Sequence, residues 1–126
     1  MKVFKILLVD DDQDFLRMAQ LSLGNTAKWK VYLANCGTQA ISVAKNIGPD
    51  LILLDVVMPD MDGVATLSEL RQHAELALIP VIFISATMHP DEAANYVAMG
   101  ACGLINKPCD PRRLPEEIAR ILRSRE

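Results

Sequence analysis

The sequence predicts an α/β protein built on a doubly wound, five-stranded parallel sheet with five helices. Short apolar runs recur at 5–9, 31–34, 51–54, 81–84 and 102–105, and each is followed by a segment whose apolar residues have helical spacing. This alternation is typical of parallel βαβ units. The central runs are continuous rather than alternating, as expected for strands that helices cover on both faces.

Each helix is predicted from apolar residues three or four positions apart. The five faces are Phe15, Met18, Ala19 and Leu23; Ala40, Ile41, Ala44 and Ile47; Leu67, Leu70 and Ala74; Ala94, Val97 and Ala98; and Leu114, Ile118, Ile121 and Leu122. Gly24 and Gly48 are expected just past helix ends in the left-handed region, and Gly100 is expected to close the fourth helix. Pro115 would cost about 3 kcal/mol in the fifth position of a helix. We therefore expect a turn at 110–113 and the regular helix from about Pro115.

Composition excludes several classes of protein. The 126 residues suit one domain spanning 1–126, and a net charge of −3 argues against direct nucleic-acid binding. The three cysteines are odd in number and lack metal-ligand spacing, which favours buried thiols in a reducing compartment over disulfides or a zinc site. The sequence carries no recognisable signal peptide and no apolar run of about 20 residues. These features predict a cytoplasmic location without membrane association.

Polar side chains follow four of the predicted strands at the point where each strand ends. Asp10 and Asp11 follow the first strand, Asp55 the third, Ser85 the fourth and Lys107 the last. The carboxyl ends of parallel strands meet at one edge of a sheet, where sites form. Carboxylates brought together repel one another unless a cation or a proton offsets the charge, and Mg²⁺ prefers oxygen ligands. The alternative for the run 10–12 alone is a helix N-cap followed by first-turn acids, and Asp12 fits that alternative.

The same residue types suit phosphoryl transfer. An aspartate at a strand end can act as a nucleophile and take up a phosphoryl group as a mixed anhydride. A metal ion and Lys107 would neutralise the phosphoryl oxygens, and the hydroxyl of Ser85 could donate a hydrogen bond to another.

Four stretches of the chain resemble a known family. They are Val9-Asp10-Asp11, the run from Leu54-Asp55 to Met61-Asp62-Gly63, Ile84-Ser85-Ala86, and Lys107-Pro108. At these spacings they are similar to the receiver domain of two-component response regulators, over about residues 4–123. The resemblance implies a single flavodoxin-like domain with strand order 2-1-3-4-5.

The resemblance also implies roles for individual residues. Asp55 would accept a phosphoryl group from a phosphohistidine on a sensor histidine kinase or phosphotransfer protein. Asp11 would bind Mg²⁺ directly, Asp10 would bind it through water, and Asp55 and the backbone carbonyl of Val57 would complete the protein ligands. Ser85 would be the switch hydroxyl, Lys107 would pair with the phosphoryl oxygens, and the Lys107–Pro108 peptide bond would be cis.

Two departures from the family pattern concern the output face. Leu104 stands where the family often has Tyr or Phe as a side chain that reorients on activation. Pro115 lies early in the last helix, on the face formed by the last two helices and the last strand, where the family commonly forms homodimers or binds outputs. The resemblance identifies neither the cognate kinase nor the output.

The favoured function is a phosphorylation-controlled switch, which would carry out only slow phosphoryl transfer and is not expected to be an enzyme in the usual sense. Two other functions compete with it. A Mg²⁺-dependent aspartyl-phosphate phosphatase often has a second aspartate two residues after the nucleophile, but Val57 occupies that position and cannot transfer protons. A phosphorylation-independent interaction module would be expected to lose an acid or the lysine, and this chain retains them all. The sequence leaves open whether the domain stands alone or belongs to a longer protein.

Overall fold

The computed structural model describes residues 4–25, 29–58, 60–86, 92–107 and 110–124. Strands and helices alternate along the chain. They are β1 (Phe4–Val9), α1 (Gln13–Gly24), β2 (Trp29–Ala34), α2 (Gly37–Ile47), β3 (Leu51–Asp55), α3 (Gly63–Gln72), β4 (Val81–Ser85), α4 (Glu92–Ala98), β5 (Gly103–Asn106), a 3₁₀ turn (Pro111–Arg113) and α5 (Leu114–Ser124).

The five strands form one parallel sheet in the order β2-β1-β3-β4-β5, which confirms the predicted doubly wound α/β fold. Its strands separate two apolar clusters. One cluster contains Leu8, Leu53 and Ile82 with residues of α1 and α5, and the other contains Leu54 and Phe83 with residues of α2 and α3. Every residue of β3 and β4 is buried. Helices therefore cover both faces of the central strands, which explains their continuous apolar runs.

The strand register brings the ends of four strands to one level. Val9 pairs with Leu54, so the residues that follow them, Asp10 and Asp55, are neighbours at the sheet edge. Ser85 pairs with Asn106, which places Lys107 one position beyond Ser85. The chain thus delivers polar groups from β1, β3, β4 and β5 to the carboxyl edge of the sheet.

Four helix predictions were wrong in detail. Ala74 is exposed and lies beyond the end of α3 at Gln72. Met18 is 54% exposed because α1 buries Leu16 with Ala19 and Leu23, so its apolar face is rotated by about one residue. Gly24 is the last residue of α1 and is not in the left-handed region, whereas Gly48 has the predicted left-handed conformation with φ 60°. Gly100 follows the end of α4, as predicted, and has φ 111°. The predicted face of α4 is exposed; this helix instead packs the ring of Tyr96 on Phe83, with ring centroids 4.8 Å apart.

The last helix begins close to where the position of Pro115 led us to expect, after a turn at 110–113. The side chain of Asp110 accepts a hydrogen bond from the backbone N–H of Arg112 and starts the 3₁₀ turn, after which α5 runs from Leu114. Pro115 therefore lies in the first turn of α5, where its missing N–H has no helical partner to lose. Among the helices of the described ranges, none is long and apolar enough to cross a bilayer.

Candidate phosphoryl-transfer site

Asp10 lies buried at the end of β1, with 1% of its surface exposed. Its Oδ1 accepts a hydrogen bond of 3.0 Å from the backbone N–H of Asp12. Its Oδ2 is buried and accepts no well-oriented hydrogen bond from the described residues, although the Nζ of Lys107 lies 2.6 Å away. A buried carboxylate oxygen in this condition needs a cation beside it.

The carboxylates of Asp10, Asp11 and Asp55 form one cluster, in which one oxygen from each lies within 4.8 Å of the others. Asp55 at the end of β3 is 5% exposed, whereas Asp11 is exposed. The Oδ1 of Asp55 accepts a 3.3 Å hydrogen bond from the backbone N–H of Val57. The structure therefore brings together the three acids that the sequence predicted, two of them buried and one open to solvent.

Lys107 and Ser85 complete the edge. The Nζ of Lys107 lies 3.7 Å from Oδ2 of Asp55, in addition to its contact with Asp10. The backbone N–H of Lys107 donates a 2.7 Å hydrogen bond to the carbonyl of Ser85, which holds the backbone of Lys107 beside the end of β4. Ser85 itself is 3% exposed at the end of β4. All five predicted side chains thus lie at the same edge.

The charges of the cluster perturb one another. Burial first, and then the negative charge of Asp10, raise the pKa of Asp55 from 3.8 to about 7, although the positive charge of Lys107 opposes both. Burial alone would lower the pKa of Lys107, but the carboxylates of Asp10 and Asp55 outweigh burial and raise it. Lys107 is therefore a protonated ammonium, whereas Asp55 is only partly ionised at neutral pH.

The loop after Asp55 folds back onto the strand that precedes it. The backbone N–H of Gly63 donates a 2.7 Å hydrogen bond to the carbonyl of Val56. A Cβ at position 63 would lie 2.5 Å from the carbonyl oxygen of Asp55 and 2.7 Å from the Cα of Val56, so only glycine allows this approach. Val57 lies in this loop and is 72% exposed. Because a valine side chain has no ionisable group, the position two residues after Asp55 provides no general acid or base.

Asp60 anchors the same loop to a different helix, which the sequence analysis did not anticipate. Its carboxylate accepts hydrogen bonds from the backbone N–H groups of Gly37 and Thr38, both 3.1 Å, and from Oγ1 of Thr38 at 2.7 Å. These donors, Thr38 first, hold the pKa of Asp60 well below its usual range. Cys36, the N-cap residue of α2, makes no side-chain capping bond, so Asp60 caps that helix from 23 residues away. No local sequence signal predicts such a contact.

Phe15 on α1 also has a role that helical spacing did not reveal. It was predicted as part of an apolar face, and it is half-buried against the core cluster that contains α1 and α5. The Nζ of Lys107 lies over its ring, 4.9 Å from the centroid. The site lysine is thus bordered by two carboxylates and one aromatic face.

The donor set fits a Mg²⁺ ion. The clustered ligand atoms are all carboxylate oxygens, which hard divalent cations prefer, and one acid is exposed as a partly hydrated ion requires. Three carboxylates face a single ammonium within the cluster, so the described groups leave negative charge to be balanced. The predicted contribution of the Val57 carbonyl stays a prediction, and the predicted cis bond involves Pro108, which lies outside the described residues.

The fold and this edge define a doubly wound α/β protein with an acid-and-lysine site at the carboxyl ends of its strands. The family model for the response regulator receiver domain matches residues 6–119. The chain belongs to this family, the receiver domains of two-component response regulators.

Individual relatives agree with this assignment. The chain is 31% identical over 122 residues to the alkaline phosphatase synthesis transcriptional regulatory protein PhoP of Bacillus subtilis (strain 168), covering 97% of this chain and 50% of that protein. It is 32% identical over 121 residues to the response regulator Rre1 of Synechocystis sp. (strain ATCC 27184 / PCC 6803 / Kazusa), covering 96% of this chain and 52% of that protein. The chain therefore spans about half the length of these two relatives.

Solved structures agree as well. The chemotaxis response regulator CheY4 of Vibrio cholerae superposes with a TM-score of 0.84 at 28% identity, covering 93% of this chain and 97% of that one. A signal receiver domain of a signal transduction histidine kinase from Syntrophus aciditrophicus superposes with a TM-score of 0.80 at 30% identity, covering 96% and 91%. These neighbours confirm the predicted flavodoxin-like receiver fold.

Proposed function

We propose that this receiver domain accepts a phosphoryl group on Asp55 and that it works as a conformational switch rather than as a dedicated enzyme. The observation that carries the proposal is the meeting of Asp55 with Asp10, Asp11 and Lys107 at one sheet edge. The phosphoryl donor is a phosphohistidine on a sensor histidine kinase or phosphotransfer protein, as family membership suggests.

The chemistry follows from the groups at the edge. A carboxylate oxygen of Asp55 attacks phosphorus, an O–P bond forms and the P–N bond to the donor imidazole breaks. The bonding electron pair stays on that nitrogen, and because the other ring nitrogen of the phosphohistidine is protonated, the donor leaves as neutral imidazole. Asp10, Asp11 and Asp55 would hold Mg²⁺ together with the Val57 carbonyl, and the ion would supply positive charge to the phosphoryl oxygens. Lys107 supplies a second positive charge, and the hydroxyl of Ser85 offers a hydrogen-bond donor on the same edge.

The raised pKa of Asp55 fits this assignment. A nucleophilic carboxylate must be ionised, and burial beside Asp10 opposes ionisation in the absence of a metal ion. Cation binding at the cluster would favour the ionised form and so couple magnesium to readiness for phosphorylation. The two competing functions gain no support, because Val57 cannot transfer protons and every acid and the lysine are retained.

The partners and the location of the domain are proposed from its family membership. We propose a cytoplasmic domain that acts on an output domain or target protein and binds neither nucleic acid nor membrane directly. A homodimer through α4, β5 and α5 stays a prediction. Leu104 packs against the apolar cluster on the α2 and α3 side of the sheet, so it can repack without the aromatic ring that the family often has there.

The test is intact-mass analysis after incubation with Mg²⁺ and acetyl phosphate. One added phosphoryl group is expected on the wild type and none on Asp55→Asn, which keeps the shape and the Val57 hydrogen bond but cannot form the anhydride. Asp50→Asn, an exposed acid at the opposite edge of the sheet, is the matched control and should be labelled normally. Equal labelling of Asp55→Asn would contradict the assignment.

A further inference from the structure

Lys107 has two kinds of partner with different chemistry. Its Nζ lies 2.6 Å from Oδ2 of Asp10 and 3.7 Å from Oδ2 of Asp55, and it lies 4.9 Å from the centroid of the Phe15 ring. The carboxylates carry charge and can bind other cations, whereas the ring is neutral and attracts the ammonium through its electron-rich face.

The position of Phe15 is fixed by the same acidic run that forms the site. Asp12 is the N-cap of α1, and its Oδ1 accepts hydrogen bonds from the backbone N–H groups of Asp14 at 3.0 Å and Phe15 at 3.2 Å. The ring itself packs against the core cluster beneath α1 and α5. Phe15 is therefore a rigid surface, whereas the lysine that it borders has a long flexible stem.

The carboxylate partners are the ones that a divalent cation would also take. Lys107 and the cation compete for Asp10 and Asp55, and two positive charges at one cluster repel each other. The aromatic ring is not a ligand for a hard cation, which prefers oxygen. Among the described groups in direct contact with the ammonium, the ring is thus the one that this competition leaves in place.

We propose that Phe15 is a positioning residue for Lys107. Its ring keeps the ammonium at the mouth of the site when a divalent cation binds the carboxylates of Asp10 and Asp55 and the phosphoryl group arrives. This inference rests on the proposed function of Asp55. The consequence is that the ring accelerates phosphoryl uptake by restricting the ammonium to positions near Asp55. With the Lys107 side chain 21% exposed, full loss of the interaction should slow uptake roughly threefold to tenfold.

The test replaces Phe15 with 4-fluoro-, 3,5-difluoro- and 3,4,5-trifluorophenylalanine, which keep the shape of the ring and withdraw its electron density step by step. The rate of phosphoryl uptake from acetyl phosphate at saturating Mg²⁺ should fall in the same graded order. Phe15→Leu should be slowest, and Phe15→Trp should retain the rate. The matched control is the same fluorinated series at Phe83, whose ring packs on Tyr96 in the core and borders no lysine in the described contacts.

A rate that is unchanged or faster along the Phe15 series would overturn the proposal, as would an equal fall along the Phe83 series. A second measurement does not depend on phosphorylation. The NMR signals of the Lys107 ε-methylene should show a ring-current shift in the Mg²⁺-bound protein that disappears in Phe15→Leu, and a shift that persists in that variant would also overturn it. Equal labelling of the wild type and Asp55→Asn, or no labelling of the wild type at all, would instead count against the proposed function of Asp55, so the two failures are distinguishable.

Discussion

Replacing Asp55 by Asn should stabilise the metal-free protein at high pH although it removes the central residue of the site. The pKa of Asp55 is raised from 3.8 to about 7, chiefly by burial and then by Asp10. The folded state therefore holds a proton on Asp55 between about pH 4 and 7 that the unfolded chain has lost, and the free energy of unfolding falls as the pH rises through this window. Above about pH 7, Asp55 is ionised in the folded state and the free energy of unfolding has fallen by the full amount.

The size of the effect follows from the same values. Each tenfold change in a proton dissociation constant is worth about 1.4 kcal/mol, so a rise from 3.8 to about 7 sets an upper bound of ~4 kcal/mol. Because Asp10 and Lys107 respond to the ionisation of Asp55, we expect roughly half to all of that bound. Asparagine is neutral at every pH and keeps the shape of the protonated acid.

Urea unfolding followed by circular dichroism, with EDTA present, gives the measurement. Asp55→Asn should be close to the wild type at about pH 4 and more stable by roughly 2–4 kcal/mol at about pH 8. Magnesium at a hundredfold excess over its dissociation constant should then narrow the gap by up to about 2.7 kcal/mol, since the ion binds the wild type better. A difference in the free energy of unfolding between Asp55→Asn and the wild type that is the same at both pH values would show that the pKa of Asp55 is not raised.

Three further predictions concern the metal, the lifetime of the modification and the response. Millimolar Mg²⁺ should raise the melting temperature of the wild type but barely that of Asp11→Ala; equal shifts in calorimetry would mean that Asp11 is not a ligand. Val57→Asn should shorten the lifetime of the acyl phosphate severalfold, because an amide at this exposed position can orient the attacking water; loss of labelled phosphate at the wild-type rate would exclude this role for Val57. Binding of beryllofluoride with Mg²⁺ should change amide exchange in residues 85–86 and 92–105, and bound mimic without such a change would contradict the switch.

The fold and the acids of the site could be predicted because both depend on chain order. Asp10, Asp55, Ser85 and Lys107 each follow an apolar run, and parallel strands present their carboxyl ends at one edge whatever their detailed packing. The start of α5 was equally predictable, because the ring of Pro115 restricts its own backbone.

The missed details depend on contacts that no local pattern encodes. Apolar spacing alone could not decide whether Phe15 and Met18 or Leu16 faced the core, because the two choices differ by a rotation of one residue about the axis of α1. The position of the Lys107 ammonium over the ring of Phe15 depends on the side-chain conformations of two residues that lie far apart in the sequence. The capping of α2 by Asp60 joins residues 22 and 23 positions apart, and nothing at Thr38 distinguishes it beforehand from an ordinary exposed threonine.

The hydrogen bonds from Gly37 and Thr38 to Asp60 make the first turn of α2 part of the support for the loop that follows Asp55. We therefore expect the affinity of the carboxylate cluster for Mg²⁺ to depend on Asp60, which is not one of the residues in that cluster. Engineers who transplant the loop after Asp55 into another scaffold would need to bring this turn of α2 with it. Thr38→Val, which keeps the size of the side chain, would delete the 2.7 Å hydrogen bond from the hydroxyl and leave the two backbone hydrogen bonds to Asp60 in place.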